Sequence, residues 1–214
     1  MTPGSWLTLL QQQKGIAVIR ASQIEVGVKM AQAVAAGGMR LIEVTWNSPD
    51  PAKLIHHLHQ ALPHCSIGAG TLLTLPEFQA AIDAGAEFLF SPHLDRAMIE
   101  GAVRQRVPVI PGALSPTEIV TAWQAGATCV KVFPIDAVGG AAYIRHLQGP
   151  LGQIPLIPTG GVTLENASQF IQAGAVAVGL SGQLFPQQAI RSGDWQIIRD
   201  RAAQLMQQLT QAQP

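Results

Sequence analysis

The sequence predicts an α/β protein folded as a single (β/α)8 barrel, the TIM barrel architecture, over residues 1–214. Three observations lead there. Short β-branched runs alternate with longer Ala-rich segments eight times, and eight parallel strands close a barrel. The strand runs are apolar almost throughout, as expected of strands covered on both faces. A weak repeat ("AAGGMRLIEV", "DAGAEFLF", "QAGATCVKV", "QAGAVAVGL") ends a helix at glycine and launches a strand at every second unit. An open doubly wound sheet also alternates but gives no reason for that even recurrence.

Taken in order, the first strand is read in "IAVIR" (16–20) and the second in "RLIEVT" (40–45), with a helix over 22–36 capped by Ser22. "SIGAG" (66–70) and "EFLF" (87–90) flank a helix over 75–84. "VPVIP" (107–111) precedes a helix over 115–125, announced by Ser115 with Pro116 and Glu118. "TCVKVF" (128–133) is the sixth strand. "PLIPT" (155–159) and "AVAVGL" (175–180) enclose a helix over 163–173, opened by Thr163 with Asn166. Gly37, Gly85, Gly126 and Gly174 are expected as left-handed helix stops. A last helix from about Asp194 to Gln211 completes the series.

Composition narrows the function. Thirteen basic and thirteen acidic side chains leave no formal net charge, which argues against a nucleic-acid partner needing a concentrated basic face. No run reaches eighteen apolar residues and the first twenty lack a signal-peptide pattern, so no membrane partner and a cytoplasmic location are expected. Cys65 and Cys129 show no paired spacing and read as reduced, buried thiols.

The chemistry centres on Lys131, one of only four lysines, in the middle of an apolar strand. Alternation puts Cys129, Lys131 and Phe133 on one face, Leu41, Glu43 and Thr45 on another, and Ile16, Val18 and Arg20 on a third. Burying charge against the helix layer is costly, so these faces are taken as inner. Lys131, Glu43 and Arg20 then converge at the C-terminal strand ends, where barrel active sites form. One reading of Lys131 is a structural ion pair with Glu43, or a snorkelling side chain. The other is a nucleophile. An exposed lysine of pKa about 10.4 is only about 0.04% neutral at pH 7. Desolvation and neighbouring cations raise that fraction, and the free amine attacks a ketone to form an iminium electron sink. Glu43 then reads as counter-ion or proton shuttle.

"IPTGGVTLENA" (157–167) ends the seventh strand in Thr159, Gly160 and Gly161, where backbone N–H groups approach an anion closely. The eighth ends in Gly179-Leu180-Ser181-Gly182, adding a hydroxyl to the corner where barrels often hold phosphate. His56, His57, His59 and His64 invite a metal reading, but two are adjacent on a helical stretch and cannot share a face, so no metal is assigned. Asp83 and Asp95 read as structural. Trp46 is the tryptophan placed to line a pocket.

With these residues in place, the chain resembles the class I aldolases that cleave 2-keto-3-deoxy-6-phosphogluconate. The likeness runs almost end to end through "GIAVIRA", "GGMRLIEVTWNSP", "IGAGTLLT", "FLFSPHLD", "VPVIPGALSPTEI", "CVKVFP" and "IPTGGV". It implies Lys131 as the Schiff-base residue and Glu43 as proton shuttle. By the same resemblance Thr71 helps hold the substrate carboxylate, and Pro92 and Phe133 line the pocket. Thr159, Gly160, Gly161 and Ser181 take the phosphate. Implied partners are the phosphorylated keto-deoxy sugar acid and pyruvate, without metal or organic cofactor, in a homotrimer. One departure stands out: many members carry an arginine where this chain has Asn47, and Arg20 is the expected replacement for the carboxylate. The "NSP" stretch is similar to relatives acting on the galactonate epimer. Three alternatives stay open: cleavage of 4-hydroxy-2-oxoglutarate, cleavage of 2-keto-3-deoxy-6-phosphogalactonate, and a non-catalytic barrel that binds sugar phosphate.

Overall fold

The computed structural model describes residues 2–212; Met1, Gln213 and Pro214, at the ends of the predicted domain, lie outside them. The chain opens with α1 (Pro3–Gln13), β1 (Gly15–Ile19), α2 (Ile24–Ala36), β2 (Leu41–Thr45), α3 (Pro51–Ala61) and β3 (Ser66–Gly70). Next come α4 (Leu75–Asp83), β4 (Leu89–Phe90), α5 (Arg96–Arg104), β5 (Val109–Ile110), β6 (Gly112–Ala113) and α6 (Pro116–Gln124). β7 (Val130–Val132), a 3-10 turn (Ile135–Val138), α7 (Ala141–Leu151), β8 (Leu156–Pro158) and α8 (Ala167–Gln172) follow. β9 (Val178–Leu180), α9 (Gln187–Ser192) and α10 (Trp195–Gln211) complete the described chain.

All strand pairs are parallel. They form a six-stranded sheet in the order β5-β4-β3-β2-β1-β9 and a three-stranded sheet in the order β6-β7-β8. Nine strand segments thus stand where eight were expected. The fifth run divides at Pro111, which has no N–H to give a neighbour. Val109 on one side of the break accepts from the N–H of Thr128 at 2.9 Å, and Pro111 itself accepts from Lys131 at 2.9 Å. At the other edge, the N–H of Val176 donates to Leu156 at 3.0 Å, and Thr159 bridges Gly179.

The predicted alternation is met in the packing. Ile16, Leu41 and Cys129 belong to a small inner cluster with Phe88, Phe90, Ile110, Ile157 and Ala177. Their sequence neighbours Ala17, Ile42 and Val130 belong to the larger cluster between sheets and helices. A helix not anticipated from the sequence, α1, inserts Trp6 and Leu10 into the inner cluster, both fully buried. Each such side chain contributes roughly 1.5–3 kcal/mol on burial. The signal was available: Thr2 and Ser5 form a capping box, Pro3 stands in the first turn, and Trp6 and Leu10 share a face.

Other boundaries need correction. α2 starts after Gln23 rather than Ser22, with no side-chain cap. Gly37 is not a left-handed stop, since its φ is −80°; Gly38, at 98°, takes that conformation. Gly37 serves contact instead, because a Cβ there would come within 2.6 Å of the Arg199 carbonyl on α10. Gly85, Gly126 and Gly174 do lie in the left-handed region. α8 begins at Ala167 rather than at residue 163, because Thr163 and Asn166 bond each other across a turn at 2.8 and 3.3 Å.

Candidate active site

β1, β2 and β7 carry their inner-facing residues to the C-terminal strand ends. Register sets Val18 beside Glu43, and Gly112 beside Lys131. These ends surround a cavity of about 460 Å3 whose lining includes Arg20, Glu43, Thr71, Pro92, Lys131 and Phe133. The glycine-rich corner supplies Thr159, Gly160, Gly161 and Ser181 to the same cavity. Every residue singled out from the sequence as catalytic or substrate-binding therefore lines one space.

Lys131 and Glu43 are its buried ionisable groups, 6% and 2% exposed. Burial pushes the Glu43 carboxyl above its ordinary range, against the pull of Lys131 and then Arg20. Burial likewise holds Lys131 below its ordinary value; Glu43 opposes this and Arg20 adds to it. The direct ion pair left open by the sequence is not formed. Among the described residues, the pairs within 4.0 Å are His59–Glu87 and Arg199–Asp200. The Lys131 Nζ instead stands 4.6 Å from the centroid of Phe133, and the Glu43 Oε1 is buried with no hydrogen-bond partner among the described residues. An amine and a carboxyl facing one cavity without locking each other leave both open to a reacting molecule.

Arg20 follows β1, exposed at the mouth, and its Nε donates to Asn47 Oδ1 at 3.3 Å. The loop behind that contact is pinned by Ser48, whose Oγ accepts from the Ala21 N–H at 3.2 Å and lies 3.2 Å from Thr45 Oγ1. Asn47 thus holds the guanidinium that the sequence offered in place of the missing arginine. Thr71 follows β3 with φ 58°, which turns a β-branched residue into the cavity at a conformational cost.

In the glycine corner, Gly160 and Gly161 have φ 78° and 91°. Among the described residues their N–H groups have no backbone acceptor, whereas the carbonyls of Thr159 and Gly160 accept from Ile135 and Asp136 at 3.0 and 3.2 Å. Asn166 Nδ2 ties the Gly161 carbonyl at 3.0 Å. The corner therefore offers free donors on a braced loop, the arrangement that receives anions.

Sequence reading missed Val162 and Gln183, which also line the cavity. Position next to the two glycine runs was the available signal. Trp46 does not line it; half-buried, it packs in the outer cluster, because alternation from Glu43 and Thr45 sends residue 46 to the helix side. The histidines serve other contacts: His59 Nε2 meets the Gly85 carbonyl at 2.8 Å and His56 meets Gln60 at 3.1 Å. Asp95 caps α5, accepting from the Met98 N–H at 3.0 Å. Cys65 and Cys129 are free and buried, and no described helix is long and apolar enough to cross a membrane.

Relatives of the chain are described as aldolases. A protein of Treponema pallidum described as 2-dehydro-3-deoxy-phosphogluconate aldolase is 32% identical over 198 residues, 92% of this chain and 94% of that one. The KHG/KDPG aldolase of Escherichia coli K12 is 30% identical over 192 residues, 90% of each chain. A crystal structure of KDPG aldolase from Legionella pneumophila, with pyruvate captured as a covalent carbinolamine, matches with a TM-score of 0.87 at 29% identity. It covers 96% of this chain and 98% of that one. The family profile for KDPG and KHG aldolases matches residues 8–201. The chain belongs to the KDPG and KHG aldolase family.

Proposed function

We propose that this protein is a class I aldolase that cleaves 2-keto-3-deoxy-6-phosphogluconate to pyruvate and glyceraldehyde 3-phosphate. The observation that carries the reading is a buried amine, Lys131, facing a buried carboxyl, Glu43, across one cavity without a direct ion pair. The neutral Lys131 amine attacks the keto carbon, and Glu43 moves protons while the carbinolamine loses water to the iminium. Glu43 then takes the proton of the carbon 4 hydroxyl. The bond between carbons 3 and 4 breaks, its electron pair enters the iminium, and the aldehyde leaves. Protonation and hydrolysis of the enamine release pyruvate and restore Lys131. The iminium is the electron sink, so the route uses neither metal nor organic cofactor.

Arg20, steadied by Asn47, and Thr71 orient the carboxylate, while Pro92 and Phe133 wall the keto-acid end. Thr159, Gly160, Gly161 and Ser181 hold the phosphate through free N–H groups and hydroxyls. The two sheets are parts of one (β/α)8 barrel that spans the chain; the shared segment 109–113 and the Thr159–Gly179 bridge support this. Exposed Leu73, Leu75, Val103 and Trp123 suit the contacts of a homotrimer. Two free buried thiols fit a reducing, cytoplasmic setting.

Trapping with pyruvate and borohydride tests the reading. The adduct is expected on Lys131 by peptide mass mapping and absent from Lys131→Met; an adduct elsewhere overturns the role given to Lys131, and none at all overturns the reading in favour of a non-catalytic barrel. Because burial holds Lys131 below 10.5, kcat/KM rises with pH through that lowered value and levels off before 10.5 is reached. A second reading, the galactonate epimer, is favoured by the "NSP" stretch that contains Asn47, the part of the sequence that resembles relatives acting on that epimer. Relative cleavage rates of the two epimers and of 4-hydroxy-2-oxoglutarate decide the preferred substrate.

A further inference from the structure

β3 presents residues 66, 68 and 70 on its inner face, and the last two are glycines. They make room for different things. A Cβ at Gly68 would overlap the Phe88 ring, in the inner core. A Cβ at Gly70 would overlap the Glu43 carboxyl and come within 2.7 Å of its Cγ. In register, Glu43 lies opposite Gly68 and Thr45 opposite Gly70, so the Glu43 side chain leans along the sheet into the volume that residue 70 leaves empty. Gly70 lies outside the left-handed region, so its backbone does not itself require glycine. Among the described residues, no polar group holds Glu43 Oε1. Shape, rather than a hydrogen bond, sets where that oxygen sits.

We infer that Gly70 is a positioning residue for proton transfer: its missing side chain is the socket that seats the Glu43 carboxyl across the cavity from Lys131. This rests on the reading of Glu43 as the proton shuttle. A methyl group at residue 70 drives the carboxyl out of the socket and changes its separation from Lys131. The charged groups facing Glu43 are Lys131 on β7 and Arg20 beyond β1; the neutral Cys129 thiol lies on the same inner face below Lys131. No other titratable side chain lines the cavity among the described residues. Moving the carboxyl therefore moves the pH dependence of the amine as well as the rate.

The experiment is a cycle of four proteins: wild type, Gly70→Ala, Glu43→Gln and the double variant, with Gly68→Ala as a control one layer down. Cleavage of 2-keto-3-deoxy-6-phosphogluconate is followed against pH, and Tm is recorded for each. Glu43→Gln is expected to lower kcat roughly 10²–10⁴-fold. Gly70→Ala is expected to lower kcat at least about tenfold, with KM within about threefold, and to displace the acid limb of the profile. In the Glu43→Gln background, Gly70→Ala changes kcat by less than about twofold, because the group it acts through is gone. Gly68→Ala lowers Tm and leaves the acid limb in place. Wild-type kcat and profile in Gly70→Ala, or equal fractional losses in both backgrounds, overturn the inference while the Glu43 reading stands. Full kcat in Glu43→Gln overturns both. If Gly70→Ala does not fold, recovery of folding in Glu43→Ala/Gly70→Ala supports the socket, since alanine at 43 removes the Cγ and carboxyl that a methyl at 70 would strike; no recovery overturns it.

Discussion

Thr71 follows β3 in a left-handed conformation, φ 58°, that costs a β-branched residue on the order of 1–3 kcal/mol. The same backbone turn aims it into the cavity, so the strained residue is also one that lines it. Thr71→Gly relieves the strain, against about 0.4–1 kcal/mol of added freedom in the unfolded chain. The expected outcome is an unchanged or higher Tm in thermal melts, with a raised KM in steady-state kinetics because the hydroxyl is lost. At this scale alternation together with the cost of burying charge against the helix layer located Lys131, Glu43 and Arg20. Gly70 was not legible. Its meaning depends on a carboxyl that reaches it from the neighbouring strand.

α6 shows how an element is fixed locally. Ser115 accepts from the Glu118 N–H at 3.3 Å, and Glu118 Oε2 accepts from the N–H groups of Leu114 and Ser115 at 2.7 and 2.8 Å. These bonds hold the Glu118 carboxyl below its ordinary range. Its contribution is therefore present above pH 4.5 and fades as pH falls through the lowered value. Ser115→Ala is expected to cost about 1 kcal/mol, read as a Tm drop of roughly 2–4 °C, with kcat/KM unchanged. This start was legible because its signals are contiguous. The start of α8 is delayed by the Thr163–Asn166 turn that braces the glycine corner, while α2 starts after Gln23 with no side-chain cap to mark it. The later strands are shorter than the runs read from the sequence, at Leu89–Phe90, Val130–Val132 and Val178–Leu180, although Glu87, Thr128 and Val176 just before them still donate to the neighbouring strand.

Across the whole molecule, stability and chemistry occupy successive layers of one interior. Trp6 from α1 packs against Phe88 at a tilt of 40° with ring centroids 5.2 Å apart, and Phe88 meets Phe90 edge-on at 5.9 Å. Lys131 and Glu43 open onto the cavity at the other end of the same inner faces. Trp6→Ala removes a fully buried ring and is expected to cost about 3–5 kcal/mol in denaturant unfolding. Activity per folded molecule is expected to stay near wild type, because the loss falls in the layer away from the cavity.

By itself the sequence determined the α/β alternation, the inward faces of the first, second and sixth predicted strands, the two glycine-rich strand ends and the motifs that carry the family likeness. These follow from period, burial and local chemistry, all of which act between near neighbours. Only the tertiary structure decided that α1 supplies Trp6 to the interior, that Asn47 holds Arg20, that Lys131 and Glu43 face each other unpaired, and that Gly70 leaves room for an acid. Each of those depends on groups tens of residues apart meeting in space, and no local pattern records such a meeting.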